Sequence, residues 1–153
     1  MNIFDFVIQY WPRLLAGTGT TVAQFFLATI LGVSIALMMG LMKLSSNKLV
    51  RGSAVTYIEI FRGTSLLVQL YWIFFVLPLF GVTIDKFTAG YLAVGMNIGA
   101  YGAELVRGGI LSVPKGQWEA ALAINMSPAQ RMRRVILPQA LVNMLPPWGN
   151  LMI

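Results

Sequence analysis

Between Arg13 and Lys43 the chain runs for 29 residues without a charged side chain. A helix rises about 1.5 Å per residue and about 20 apolar residues cross a hydrocarbon core, so this run exceeds the need of one membrane crossing. Uncharged stretches recur from Gly63 to Ile84, Phe87 to Ala103 and Val135 to Ile153. Charged residues are only 10% of the 153 positions and hydrophobic ones 58%, whereas soluble domains carry about 25% charged residues. Lipid is the solvent that suits such runs. The pattern predicts an all-α, polytopic membrane helical bundle with three full transmembrane helices and the start of a fourth. The spans fall near residues 19–41, 63–83, 87–106 and 136–153 of a single domain covering 1–153.

The chain has no Cys and no His, which removes disulfides, Cys/His metal sites, thiol nucleophiles and imidazole bases together. The remaining carboxylates form no recognisable acid–base pair, so neither catalytic nor metal-binding residues are assigned. No phosphate-cradling GxxxxGK[ST] string occurs, so the chain carries no nucleotide site of that kind.

Eleven Lys and Arg against five Asp and Glu give a formal charge of +6. In a membrane protein such an excess is more often topology than nucleic-acid binding. Placed against the spans, Lys43, Lys48, Arg51, Arg62, Arg107, Lys115, Arg131, Arg133 and Arg134 share one side, and Arg13 and Lys86 fall opposite. The positive-inside rule makes the first group cytoplasmic and the N-terminus extracytoplasmic. Ala28, Gly32, Ala36 and Gly40 recur every fourth residue in the first span, and Gly95 and Gly99 repeat the spacing in the third. Such faces permit close helix approach within a bundle or across a dimer seam.

The cytoplasmic loop, residues 107–135, carries the most local chemistry. Residues Gln117 to Ile124 favour a helix, and Asn125 ends it because Asn tolerates the left-handed conformation. Ser127, Pro128 and Gln130 fit a capping box with Pro at the first helical position, opening a second short helix that bears Arg131, Arg133 and Arg134. Two readings follow: a docking knob, or a solvated loop whose arginines fix topology or touch anionic lipid. Caps organise a loop without saying what it binds.

The string Glu119-Ala120-Ala121, three residues, Asn125, nine residues, Val135, one residue, Leu137-Pro138 closely resembles the EAA loop of permease subunits of bacterial ABC importers. YIEIFRGTSLLVQLYWIFFVLP (Tyr57 to Pro78), GAYGAELVRGGILSVPKGQWEAA (Gly99 to Ala121) and LPPWGN (Leu145 to Asn150) are similar to the polar amino-acid uptake branch, the histidine/glutamine permease type. Asn125 stands where that family has Gly, Ser65 where it has Pro, and Val135 where it usually has Ile. The resemblance implies a bacterial inner-membrane, multi-pass permease subunit that moves an amino acid or similar polar solute. Its partners would be a second permease subunit, an ABC ATPase that supplies hydrolysis, an extracytoplasmic solute-binding protein and membrane lipid, without nucleic acid. The family continues through the rest of a fourth span and a fifth, so the chain is expected to be C-terminally incomplete. A membrane scaffold or regulatory subunit without a complete path is the alternative.

By the same resemblance, Glu119, Ala120, Ala121, Asn125, Ser127 and Pro128 form the ATPase-docking loop. Candidates for the translocation path are Asn97, Tyr101, Glu104 and Gln69, polar groups in otherwise apolar sequence. Glu59 and Arg62, three apart, are spaced for an ion pair that braces a cytoplasmic gate or merely sits at the interface. Glu104 and Arg107 repeat the spacing, and a plain structural pair weighs against any contact of Glu104 with solute.

Overall fold

The computed structural model describes residues 3–152. Helix α1 runs from Ile3 to Lys43, so the expected first span lies inside a longer helix; its segment Tyr10–Lys43 is long and apolar enough to cross a membrane. A tight turn leads to α2 (Lys48–Gly63), whose N-terminus is capped by the Asn47 side chain accepting from Leu49 N. After a break comes α3 (Leu66–Tyr71), continued by a π-helical turn over Trp72–Val76 and a 3-10 turn over Leu77–Phe80. Gly81 closes that segment at φ 84°, a left-handed conformation that costs glycine little.

Helix α4 covers Lys86–Leu111. Its N-cap Asp85 accepts from Thr88 N at 3.0 Å, and hydrogen bonds from Thr88 hold the Asp85 carboxyl below the usual carboxylate range. Two short helices follow, α5 (Lys115–Ala123) and α6 (Pro128–Arg131). A second π-helical turn over Met132–Ile136 passes into α7 (Leu137–Met152).

The small-residue stripes explain how α1 and α4 pack. A Cβ built on Gly32 would lie 2.6 Å from Ile98, one on Gly95 2.8 Å from Leu31, one on Gly99 2.6 Å from Ile35, and one on Gly40 2.8 Å from Val106. Only hydrogen fits at those positions. The matched positions climb together, so α1 and α4 run parallel, and the stripe is an intrachain seam.

Parallel packing of α1 on α4 requires the intervening chain to return to the starting end. The α2–α3 segment makes that return with a bend of 101° at Gly63–Ser65. The sequence predicts a span starting at residue 63; the structure shows a bent unit starting at Lys48. Ser65 takes over where a proline would stiffen the start, its hydroxyl accepting from Leu67 N at 3.3 Å as the N-cap of α3. Ile73, Ala89 and Ala93 bury the far part of this unit against α4. Helix α7 packs antiparallel on α4, Trp148 reaching Gly102 while Met144 reaches Gly109. Ala36, Val106, Ile110, Val113, Ile136, Ala140 and Met144 form the core beneath α5 and α6.

Candidate functional sites: an outlying helical corner and a polar track on α4

The corner made by α5 and α6 follows from its own sequence. Asn125 adopts φ 55°, and Met126 N donates to Ala121 O at 3.1 Å while Asn125 N donates to Leu122 O at 2.9 Å. These bonds satisfy carbonyls that a helix end would leave open. One turn later Ser127 Oγ accepts from Gln130 N at 3.3 Å and Ser127 N donates to Gln130 Oε1 at 3.1 Å, the reciprocal capping box foreseen from sequence, with Pro128 at the first turn.

Tertiary contacts then seat the corner on the bundle. Trp118 packs against the core beneath it, and the Arg131 guanidinium lies 5.6 Å from the centre of the Trp118 ring. Gln139 on α7 donates through Nε2 to Gln117 Oε1 at 3.2 Å. Glu119, Ala120, Asn125, Ser127 and Pro128 are exposed. Ala121 is not: it is 3% exposed and faces the bundle. It therefore presents no surface to a partner, because the helical period that turns Glu119 outward turns Ala121 in. Leu122 and Ile124, 56% and 69% exposed, add an apolar element to the outward side instead. The second short helix also ends sooner than expected, at Arg131. Arg133 and Arg134 sit on the π-turn that joins it to α7.

The second constellation runs along α4. Asn97, Tyr101 and Glu104 fall at i, i+4 and i+7, one helix face, and the fold turns that face toward α2. Gln69, buried at 7% exposure, donates through Nε2 to Phe61 O at 2.8 Å, Thr64 O at 3.2 Å and Thr64 Oγ1 at 2.9 Å. Its Oε1 accepts from Asn97 Nδ2 at 3.3 Å. One side chain thus satisfies the open C-terminal carbonyls of α2 across the elbow and fastens the elbow to α4. Tyr57 adds a further tie, its hydroxyl donating to Met96 O at 2.7 Å. A cleft of about 310 Å³ opens beside the elbow, lined in part by Phe61, Thr64, Gln69, Trp72 and Met96.

At the lower end of this track Glu104 gathers three cations. Arg107 Nε donates to its Oε2 at 2.9 Å, Lys43 Nζ donates to Oε1, and Arg62 approaches Oε1 at 3.9 Å. The proposed Glu59–Arg62 pair does not form among the described residues; Arg62 turns to Glu104 and to the Tyr101 ring, 5.3 Å from its centre. The physical reason is screening. Glu59 is exposed, whereas the Glu104 side chain is only 18% exposed, and a carboxylate partly withdrawn from water attracts a cation more strongly. Both Glu104 oxygens are occupied by groups of this chain, as the structural reading of the Glu104–Arg107 spacing expects. Lys43, Tyr57, Trp118 and Gln139 were not singled out from sequence. Each acts on a partner in another element, and nothing in its local spacing marks it.

One helix long and apolar enough to cross a membrane, a bent α2–α3 pair that is so only as one unit, α4 and α7 packed with them, and a capped corner projecting from one end make a polytopic helical membrane domain. The family of binding-protein-dependent transport system inner membrane components matches residues 14–153, and the chain belongs to it. A "Probable amino-acid ABC transporter permease protein" of Sinorhizobium fredii is 46% identical, over 95% of this chain and 63% of its own length. An L-cystine transport system permease protein of Bacillus subtilis is 42% identical, over 98% of this chain and 64% of its own. This chain thus spans less than two thirds of the length of these two relatives. Among solved structures, an amino acid ABC transporter with histidines superposes at a TM-score of 0.88 with 44% identity, covering 99% of this chain and 71% of that one. The MetNI methionine transporter shares the fold at a TM-score of 0.71 and 18% identity.

Proposed function

We propose that the chain is the membrane-spanning part of a permease subunit in an ATP-driven ABC importer of an amino acid or similar polar solute. The observation that carries this reading is the α5–α6 corner. It is locked by a capping box and a left-handed Asn, braced by Trp118 and Arg131, and presents Glu119, Leu122 and Ile124 to an outside surface. A projection of this kind suits transmission of force, because it is joined in sequence to α4 and α7 and tied to the bundle by Trp118 and the Gln139–Gln117 hydrogen bond. The amino-acid transport named for the similar proteins supports the solute class.

In this reading Glu119, Ala120 and the turn Asn125–Pro128 meet a separate ATPase subunit, which binds ATP and magnesium and supplies hydrolysis. A second permease subunit completes the path, and an extracytoplasmic binding protein delivers solute. The corner lies in the cytoplasm and the start of α1 outside. Asn97, Gln69 and Tyr101 border the elbow, and Glu104 with Lys43, Arg62 and Arg107 clasps α1, α2 and α4 at the gate end. A carboxylate already held by three cations retains little field for a cationic solute.

The test is uptake by the full-length permease reconstituted with its ATPase and binding protein, offered cationic, neutral and acidic amino acids. Glu119→Lys is expected to leave insertion and thermal stability unchanged, since an exposed substitution shifts stability by about 0.5 kcal/mol or less. ATP-driven uptake should fall at least about tenfold, the equivalent of 1.4 kcal/mol of docking free energy. Normal uptake in that variant, or uptake by wild type without any ATPase, refutes the proposal. Residues 1–153 contain no Cys, so single cysteines at positions 86 and 119 report sidedness once any Cys elsewhere in the full-length permease is replaced.

A further inference from the structure

The junction of α6 and α7 carries positive charge that no carboxylate neutralises among the described residues. After Glu104 the only carboxylate is Glu119, against Arg107, Lys115, Arg131, Arg133 and Arg134. Arg107 is held by Glu104 and Arg131 covers Trp118. Arg133 and Arg134 are exposed, and among the described residues neither has a carboxylate within 4.0 Å. Together with Ala129 and Gln130 they line a cleft of about 470 Å³. Gln130 spends its Oε1 on the capping box, which leaves its amide N–H groups as donors. A cleft that offers two guanidinium groups and an amide, all donors, suits an anion with several acceptor oxygens.

What lies along the same helix narrows the anion. Leu141, Val142 and Leu145 are 53%, 66% and 67% exposed; Leu141 and Val142 each lie one turn from Leu145, so the three share an apolar face of α7 that begins seven residues beyond Arg134. Charged donors above an exposed apolar face match a molecule with an anionic head and hydrocarbon tails. A soluble phosphate or an acidic protein surface would leave the apolar face unused.

We propose that this face binds an anionic phospholipid, the headgroup phosphate held by Arg133 and Arg134 and the acyl chains laid along Leu141, Val142 and Leu145. The proposal rests on the reading that α7 enters the membrane at its Leu137 end; it does not require the corner to dock an ATPase. The π-turn at Met132–Ile136 contributes by burying Ile136 while leaving the two preceding arginines outside.

The experiment uses full-length permease purified without ATPase, with fluorescent phosphatidylglycerol as the probe, phosphatidylcholine as the neutral comparison and inorganic phosphate as competitor. Basic residues beside an anionic membrane contribute enough each that losing two should weaken retention by roughly 10- to 30-fold. Arg133→Gln with Arg134→Gln is expected to lose phosphatidylglycerol to that extent, with phosphatidylcholine retention unchanged. Lys115→Gln, the loss of one charge outside the cleft, should change retention less than twofold. Arg133→Lys with Arg134→Lys, which keeps the charge, should recover most of the binding and so exclude misfolding as the cause. Equal retention by wild type and the Gln double variant overturns the proposal. Displacement of the lipid by millimolar inorganic phosphate overturns it in favour of a soluble anion. If the double variant keeps its lipid but no longer captures the ATPase, the face is a protein contact and the lipid assignment fails. Failure of the importer reading shows separately, as unaltered uptake in Glu119→Lys.

Discussion

Replacing Gly40 by Ala probes the α1–α4 seam with a single methyl group. The new Cβ would sit 2.8 Å from Val106 Cβ and Cγ1 and 2.9 Å from the Ala103 carbonyl oxygen. Carbon contacts are comfortable at about 3.5–4.0 Å, so the helices must part by about 1 Å. Val106 is a β-branched residue only 1% exposed and the carbonyl belongs to a helix, so neither yields by rotating a flexible side chain. Overpacking of this kind costs about 1–3 kcal/mol. Ala also improves helix propensity over Gly by up to about 1 kcal/mol, which would mask part of the loss. Gly17→Ala supplies the control, because a Cβ there meets nothing within 4 Å in the same helix. The difference between the two variants isolates packing and should be about 1–3 kcal/mol, read from the tryptophan fluorescence of full-length permease during SDS titration in mixed micelles. If Gly40→Ala is as stable as Gly17→Ala, the two helices do not meet where described.

Three further outcomes are expected. Gln69→Leu leaves the Phe61 and Thr64 carbonyls and the Asn97 amide without their partner, and should cost about 2–3 kcal/mol in the same titration; Gln69→Glu, which keeps the acceptor but loses the donors, should not rescue it. Glu104→Gln removes the charge from a clasp of three cations whose side chains are 19–41% exposed, so the loss should be about 1–3 kcal/mol, less than for a fully buried pair, and salt should raise the stability of the variant relative to wild type. Asn125→Gly should be stability-neutral and support wild-type uptake, whereas Asn125→Val, forced into positive φ, should lose about 1–2 kcal/mol and reduce coupling; equal behaviour of the two would contradict the left-handed turn.

Much of the corner was legible before any fold was known. Ser127, Pro128 and Gln130 act on one another within three residues, and Asn125 solves a problem set by the helix immediately before it. Their rules are local, so spacing alone is sufficient. The small-residue stripes were legible as faces but not as partners. Either an intrachain seam or a dimer seam satisfies a four-residue repeat, and only the parallel register of α1 and α4 decides between them.

Choice among distant partners belonged to the tertiary structure. Arg62 has a carboxylate three residues away in Glu59, yet the fold brings it to a less exposed one on α4, because a charge partly withdrawn from water outcompetes a solvated neighbour. Lys43 reaches Glu104 across 61 residues of sequence, a pairing that exists only because two helices run in the same direction. The 101° elbow arises the same way. Apolar runs announce that the chain crosses lipid, but where a span bends is set by which buried side chain, here Gln69, can close the carbonyls that the bend opens. Sequence thus determined the class of chain, its helices and the caps that shape its corner. Packing decided which polar groups meet, since hydrogen bonds and charges select partners by distance in space, which spacing along the chain does not encode.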